Sequence, residues 1–219
     1  MPVTQVTRFG VVNVYLVEED DGLTVIDTGL PRGAGAILKA AAGRPIARIA
    51  LTHAHGDHVG SLDELAGKAG GAEVLISGRD ARFLAGDKSL DPGEERGKLR
   101  GSYPAVKTRP TRTVSPGERI GSLEVVAAPG HTPGHVAFLD TRDRTLYCGD
   151  AYSTLGGLET TGRMNPRFPL PGFATWHRPT AAESARALRA LDPARLAPGH
   201  GKVVESPAAA MDAAIARVS

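Results

Sequence analysis

Six consecutive residues, His53-Ala54-His55-Gly56-Asp57-His58, carry three imidazoles and one carboxylate. Imidazole nitrogen and carboxylate oxygen are the donors that borderline divalent metals such as zinc accept. The apolar run at 46–51, interrupted only by Arg48, reads as a buried strand leading into them. Side chains two apart on a strand share a face, so His53 and His55 leave its end on the same side. Asp57 and His58 lie past a turn that Gly56 permits and can reach a second position. The chemistry expected is a metal centre at the C-terminal end of a strand, with donors enough for two ions.

Three more points in the chain repeat this grammar of short apolar strand, glycine and ligand. They are His131 in Pro129-Gly130-His131-Thr132-Pro133-Gly134-His135, Asp150 in Gly149-Asp150, and His200 in Pro198-Gly199-His200-Gly201. Ligands on successive strand ends converge along one sheet edge, where α/β folds keep their sites. The set of five histidines and two carboxylates exceeds one tetrahedral zinc and suits two ions sharing a carboxylate. His135 is expected as a buried, hydrogen-bonded histidine behind the ligands. Cys148 is expected as a buried core thiol, since the ligand set is complete without it.

The elements that must position these residues follow from patterning. Residues 11–17 and 23–26 read as a hairpin, 34–42 as an Ala-rich helix stopped by Gly43 and Pro45, and 46–51 as the strand feeding the cluster. A helix at 59–69 and a strand at 73–76 follow. Residues 79–118 are less regular, with a short helix at 80–85. Arg96, Lys98, Arg100, Lys107, Arg109 and Arg112 make this stretch basic, which reads as a solvated face, with an anionic-substrate clamp as the alternative. Strands return at 120–127, 136–139 and 145–148. Thr180-Ala181-Ala182-Glu183 predicts a capping box opening a helix to 191, and Ser206-Pro207 the start of a final helix to about 218. Apolar strand, acidic residue and loop recur at 23–29 and 145–151, a weak two-fold repeat. No linker divides the chain, so one domain over 1–219 is expected.

Composition narrows the function classes. A formal charge of +2 over 219 residues argues against a nucleic-acid or membrane partner. A single cysteine excludes an internal disulfide. The N-terminal stretch has no charged and apolar regions of the secretory kind, and no run approaches the roughly 20 apolar residues of a membrane span. A cytoplasmic protein acting on a small molecule is expected, its oligomeric state open, a homodimer included.

His-x-His-x-Asp-His, Gly-His-Thr-Pro-Gly-His, Gly-Asp and Pro-Gly-His-Gly, with the early Ile26-Asp27-Thr28-Gly29, together resemble the metallo-β-lactamase superfamily, in its glyoxalase-II-like and lactonase-like branch. The resemblance covers essentially the whole chain. It implies an α/β fold, a four-layer αββα sandwich of two similar halves with the metal site at one edge. It implies that His53, His55 and His131 hold a first metal, that Asp57, His58 and His200 hold a second, and that Asp150 bridges them. Zinc is the expected ion, with iron or manganese compatible with the same donors. Asp27 is expected to accept hydrogen bonds from the ligands.

The implied activity is that of a hydrolase. A hydroxide shared by two metals attacks an electrophilic carbonyl, and Asp57 orients the nucleophile or takes a proton. Tyr152 is a further candidate, as donor to a developing oxyanion. Phe168, Phe173, Trp176 and His177 are candidates for a substrate pocket, ordinary loop packing being the alternative. Only 19 residues follow His200, so the helical extension by which glyoxalase II enzymes bind their thioester is not expected. The expected substrate is a small ester, lactone or thioester. The alternatives are an iron-dependent persulfide dioxygenase and a β-lactam-hydrolysing enzyme.

Overall fold

The computed structural model describes residues 3–218; Met1 and Pro2 of the N-terminal stretch lie outside the described residues, as does Ser219. The chain forms two compact units. One comprises the segment up to Asp87 with Ser102–Ser115, the other Lys88–Gly101 with the segment from Pro116 onward.

The first unit runs β1 (Thr4–Arg8), β2 (Val12–Glu19), β3 (Gly22–Ile26), α1 (Ala34–Ala41), β4 (Ile46–Ala50), α2 (Gly56–Val59), α3 (Leu62–Lys68), β5 (Glu73–Ser77), α4 (Gly78–Leu84) and β6 (Arg112–Val114). Its six strands form one sheet in sequence order. β1, β2 and β3 pair antiparallel, and β3 through β6 pair parallel. Buried β2 and β3 read as near-continuous apolar runs, as strands covered on both faces do. Leu23, Ile37, Ile49, Leu62, Leu75 and Phe83 are fully buried around this sheet. The weakly patterned edge strand β1 was not legible from sequence. Asp57 and His58 do not follow a turn, as expected, but lie in the one-turn helix α2, which Gly56 opens.

The second unit runs β7 (Arg119–Ile120), β8 (Leu123–Ala127), β9 (Val136–Asp140), β10 (Thr145–Gly149), β11 (Tyr152–Ser153), β12 (Glu159–Thr160), α5 (Leu170–Ala174), α6 (Arg178–Ala190), β13 (Arg195–Pro198), β14 (Val204–Glu205) and α7 (Ala208–Ala216). A six-stranded sheet takes the order β14-β13-β10-β9-β8-β7, and β11 pairs with β12. Its core gathers Leu139, Leu146, Cys148, Tyr152, Leu188, Leu196 and Met211. The thiol of Cys148 is buried, as expected, and burial pushes its pKa well up. α6 starts two residues before the expected capping box: Pro179 is already inside the first turn and His177 stands at the cap. The Thr180 hydroxyl meets His177 Nδ1 at 2.7 Å instead of capping the helix.

The two-fold repeat seen in the sequence is a repeat of topology. In one unit an antiparallel β2–β3 pair is followed by parallel β4; in the other an antiparallel β9–β10 pair is followed by parallel β13. Asp27 follows β3 as Asp150 follows β10, and His53 follows β4 as His200 follows β13. Strand ends therefore deliver corresponding ligand-type residues in both units.

Candidate metal centre

In the first unit, four candidate ligands leave the end of β4. His53, His55 and His58 are almost wholly buried. The His53 ring lies 4.8 Å from that of His55 and 4.1 Å from that of His58, centroid to centroid. Asp57 is the most exposed of the four, its carboxylate 3.8 Å from His58 Nε2.

Asp27 organises these side chains. Its backbone is left-handed, at φ 61°, a conformation that Asp tolerates better than most residues. Held there, its carboxylate accepts from the Thr52 backbone N–H at 2.8 Å, from the Thr52 hydroxyl at 2.8 Å, and from His58 Nδ1 at 2.8 Å. The Thr52 hydroxyl has one proton, which goes to Asp27. Its oxygen therefore accepts from His53 Nδ1 at 3.0 Å. Both imidazoles thus carry their proton on Nδ1, which leaves the Nε2 lone pair as the metal donor. Thr28 holds the other end of His58: its N–H and hydroxyl both donate to the His58 carbonyl, at 2.7 and 3.0 Å. Asp27 thus accepts from one candidate ligand, His58, directly and reaches a second, His53, through Thr52.

Three supports here were not read from sequence. Asp80, fully buried in α4, accepts from the Ala54 N–H at 2.9 Å and fixes the backbone between His53 and His55. The Tyr103 ring packs edge-on against His55 at 4.5 Å and tilted against Phe83 at 4.9 Å. Burial, and then the Asp80 carboxylate, raise the Tyr103 pKa far above its ordinary value, so it is a neutral wall. Thr52 directly precedes the motif and was the one support with a readable signal; Asp80 and Tyr103 have none short of the fold.

In the second unit, Asp150 stands between two histidines. Its Oδ2 lies 3.3 Å from His131 Nε2 and 3.2 Å from His200 Nε2. Thr175 gives its hydroxyl proton to the Pro171 carbonyl at 2.8 Å, so it accepts from His131 Nδ1 at 3.1 Å. The Nε2 of His131 therefore faces the anion, and a cation, proton or metal, is needed between two lone pairs at that distance. His135 is buried and its Nε2 accepts from the Asp150 N–H at 3.0 Å, so it holds the backbone under the carboxylate. Glycine is required on both flanks. At Gly130, φ +124°, a Cβ would stand 2.2 Å from the Ala181 nitrogen at the start of α6. At Gly201, φ +98°, it would stand 2.3 Å from Thr154 Oγ1.

Other expected residues fall elsewhere. Tyr152 is fully buried among the core of the second unit, and its hydroxyl donates to the Ala185 carbonyl at 2.7 Å. Burial, first of all, raises its pKa. A phenol spent on a helix carbonyl is no oxyanion donor, and Tyr152 leaves the catalytic set. Of the four expected pocket residues, Phe168 does approach a candidate ligand, its ring 5.5 Å from that of His200. Trp176 is buried and donates to the Gly97 carbonyl at 3.2 Å. Phe173 is exposed under the guanidinium of Arg100. His177 is occupied by Thr180, with Glu95 3.9 Å away. The six basic side chains between 96 and 112 are all exposed, as the solvated reading expects.

An apolar cavity of about 500 Å³ opens in the first unit beside Asp57. Its walls include Leu30, Pro31, Val59, Pro104, Ala105 and Val106.

Each unit brings histidine and aspartate side chains of the kind that hold metal ions into one place, with no thiolate among them. The buried imidazoles with Nδ1 protonated and the doubly faced Asp150 oxygen fit borderline divalent ions. A family model described as the metallo-beta-lactamase superfamily matches residues 7–200. The chain belongs to that superfamily, a superfamily of hydrolases, and its two multi-stranded sheets with helices match that fold.

Among its relatives, the uncharacterized protein YobT of Bacillus subtilis (strain 168) is 46% identical over 207 residues, covering 93% of this chain and 89% of that protein. A hydroxyacylglutathione hydrolase of Methylococcus capsulatus is 35% identical over 149 residues, which is 65% of this chain and 48% of the enzyme. A solved structure, that of TTHA1623 in a di-iron-bound form, superposes with a TM-score of 0.69 at 27% identity and covers 96% of each chain. No helix among the described residues is long and apolar enough to cross a membrane.

Proposed function

We infer that the two units act as one domain that hydrolyses a small carboxyl ester, thioester or lactone with two bound metal ions. His53, His55 and His131 would hold one ion, and Asp57, His58 and His200 the other, with Asp150 shared. The observation that carries this reading is the Asp150 Oδ2 atom, faced by Nε2 of both His131 and His200. One carboxylate oxygen with an imidazole on either side is the donor pattern that a shared ligand needs.

When bound, the ions supply Lewis acidity toward a carbonyl oxygen and lower the pKa of water. The chain supplies the rest. Asp27 and Thr52 keep His53 and His58 in the Nδ1–H tautomer, and Thr175 does so for His131. His135 steadies Asp150 through its backbone N–H. Asp57, the ligand open to the cavity, is placed to accept a proton from a nucleophilic water or to orient it. No serine or cysteine nucleophile is required; the buried, protonated Cys148 thiol is unsuited to that role.

The donor set accepts Zn²⁺, iron or manganese. Zinc is our first assignment; the di-iron form of TTHA1623 makes iron the alternative to test. The thioester arm of the proposal is supported by the likeness to hydroxyacylglutathione hydrolase, which spans about half of that enzyme. The test is a panel of lactones, thioesters, aryl esters and β-lactams offered to protein reconstituted with Zn²⁺, Mn²⁺ or Fe²⁺. Turnover of an acyl substrate that chelation abolishes and metal restores is the expected result. Stoichiometric iron with oxygen consumption on a thiol persulfide would overturn it, as would full activity in His53→Ala.

A further inference from the structure

We propose that the apolar cavity beside Asp57 is the specificity pocket of this enzyme and takes a neutral aliphatic chain of the substrate. The inference rests on the hydrolase reading above and names the substrate class within it.

The cavity, about 500 Å³, is within the range of small-molecule sites. Its apolar side chains come from two stretches, Leu30–Pro31 and Pro104–Val106, with Val59 between them in α2. Charge enters through Asp57 and Asp63, both acidic, so an anionic ligand is disfavoured there and a neutral aliphatic one is not. Asp57 is also the one candidate metal ligand in its wall, so a chain seated here has its carbonyl end at the proposed chemistry.

Both walls are built, not loosely draped. Residues 102–108 have no regular structure, yet they are tied down at three places. The Gly56 N–H donates to the Ser102 carbonyl at 2.8 Å, the Val106 N–H to the Leu84 carbonyl at 3.3 Å, and the Lys107 and Thr108 N–H groups to the Asp63 carboxylate at 3.0 and 2.7 Å. Burial works to raise the Asp63 carboxyl, but those last two bonds, with the Thr108 side chain and the Lys107 charge, hold it below its usual range. Tyr103 anchors the same strip from behind, packed against His55 and Phe83. On the opposite wall, the Gly60 N–H donates to the Gly29 carbonyl at 2.8 Å, and Ser61 Oγ to the Leu30 carbonyl at 2.6 Å. A Cβ at Gly60 would stand 2.5 Å from Pro31, so glycine is what lets this wall close on α2. A preformed apolar wall gains affinity without the entropy of ordering a loop.

The experiment measures chain-length dependence. Each methylene buried contributes roughly fourfold, the equivalent of about 0.8 kcal/mol. For the metal-loaded protein, kcat/KM rises at least tenfold from p-nitrophenyl acetate to the octanoate. Ala105→Trp fills the cavity from an exposed position, and Val106→Asp charges its wall; each brings that ratio close to one. Calorimetry with 2-octanone and acetone, carbonyl compounds that water does not cleave, reads the pocket without turnover. The wild type binds 2-octanone at least tenfold more tightly, and both variants lose the preference. A preference that survives in both variants, or no preference in the wild type, overturns the inference. Absence of turnover on esters, thioesters and lactones alike, with the ketone preference intact, overturns the hydrolase reading and leaves the pocket standing.

Discussion

Asp27 Oδ2 and His58 Nδ1 lie 2.8 Å apart, across 31 residues of sequence. The contact decides which nitrogen of His58 is offered to a metal. The same carboxylate sets His53 through the Thr52 hydroxyl, so one acidic residue governs two proposed ligands.

Asp27→Asn keeps the shape of the side chain but removes the anion. With its oxygen still held by the Thr52 N–H, the amide presents N–H groups to His58 and favours the wrong tautomer. Metal affinity is expected to fall 10- to 100-fold, the usual cost of losing a carboxylate behind a metal-bound histidine. Chelator competition measures it directly. Unchanged affinity would show that Asp27 does not set the His58 donor.

Tyr152→Phe separates structure from chemistry. The variant removes the 2.7 Å phenol donation to the Ala185 carbonyl, which lies mid-helix in α6, at an expected cost of about 0.5–1.5 kcal/mol in urea unfolding. Its kcat/KM on whichever ester the wild type turns over is expected to stay within twofold. A hundredfold fall in kcat with unchanged stability would restore Tyr152 as an oxyanion donor.

Tyr147 predicts how stability changes with alkali. Burial, and then Asp140 and Asp143, push its phenol above the ordinary value near 10. A folded-state pKa raised above the unfolded one means that the folded state binds the proton more tightly. Its contribution is therefore fully present below about pH 10 and is lost as pH rises further. The slope expected is about 1.4 kcal/mol per pH unit for each such group. Urea midpoints between pH 8 and 11 in the wild type and Tyr147→Phe test this. The variant should show a shallower alkaline loss; parallel curves would refute the assignment.

Much of the site was legible because metal chemistry demands particular donors and tight turns demand glycine. His53, His55, Asp57, His58, His131, Asp150 and His200 were all named from residue type and from their place after short apolar runs. Strand alternation and apolar runs also revealed the central strands and the repeat that places Asp27 and Asp150 alike. The edge strand β1 was not legible, since a half-exposed strand carries little apolar signal. The start of α6 was misplaced because Thr180 finds His177 rather than a backbone N–H, a choice made by tertiary position.

By itself the sequence named the candidate donors and the superfamily, because those depend on which side chains exist and in what order. Tertiary structure decided which partner each candidate donor meets. Asp27 to His58 spans 31 residues, Ala54 to Asp80 spans 26 and His131 to Thr175 spans 44. No local pattern marks which threonine or aspartate will meet which imidazole. Tyr152, plausible on spacing alone, points into a core that burial built around it. The cavity beside Asp57 exists only because residues 102–106 are folded back onto α2 and α4, a long-range closure that leaves no periodic trace in the chain.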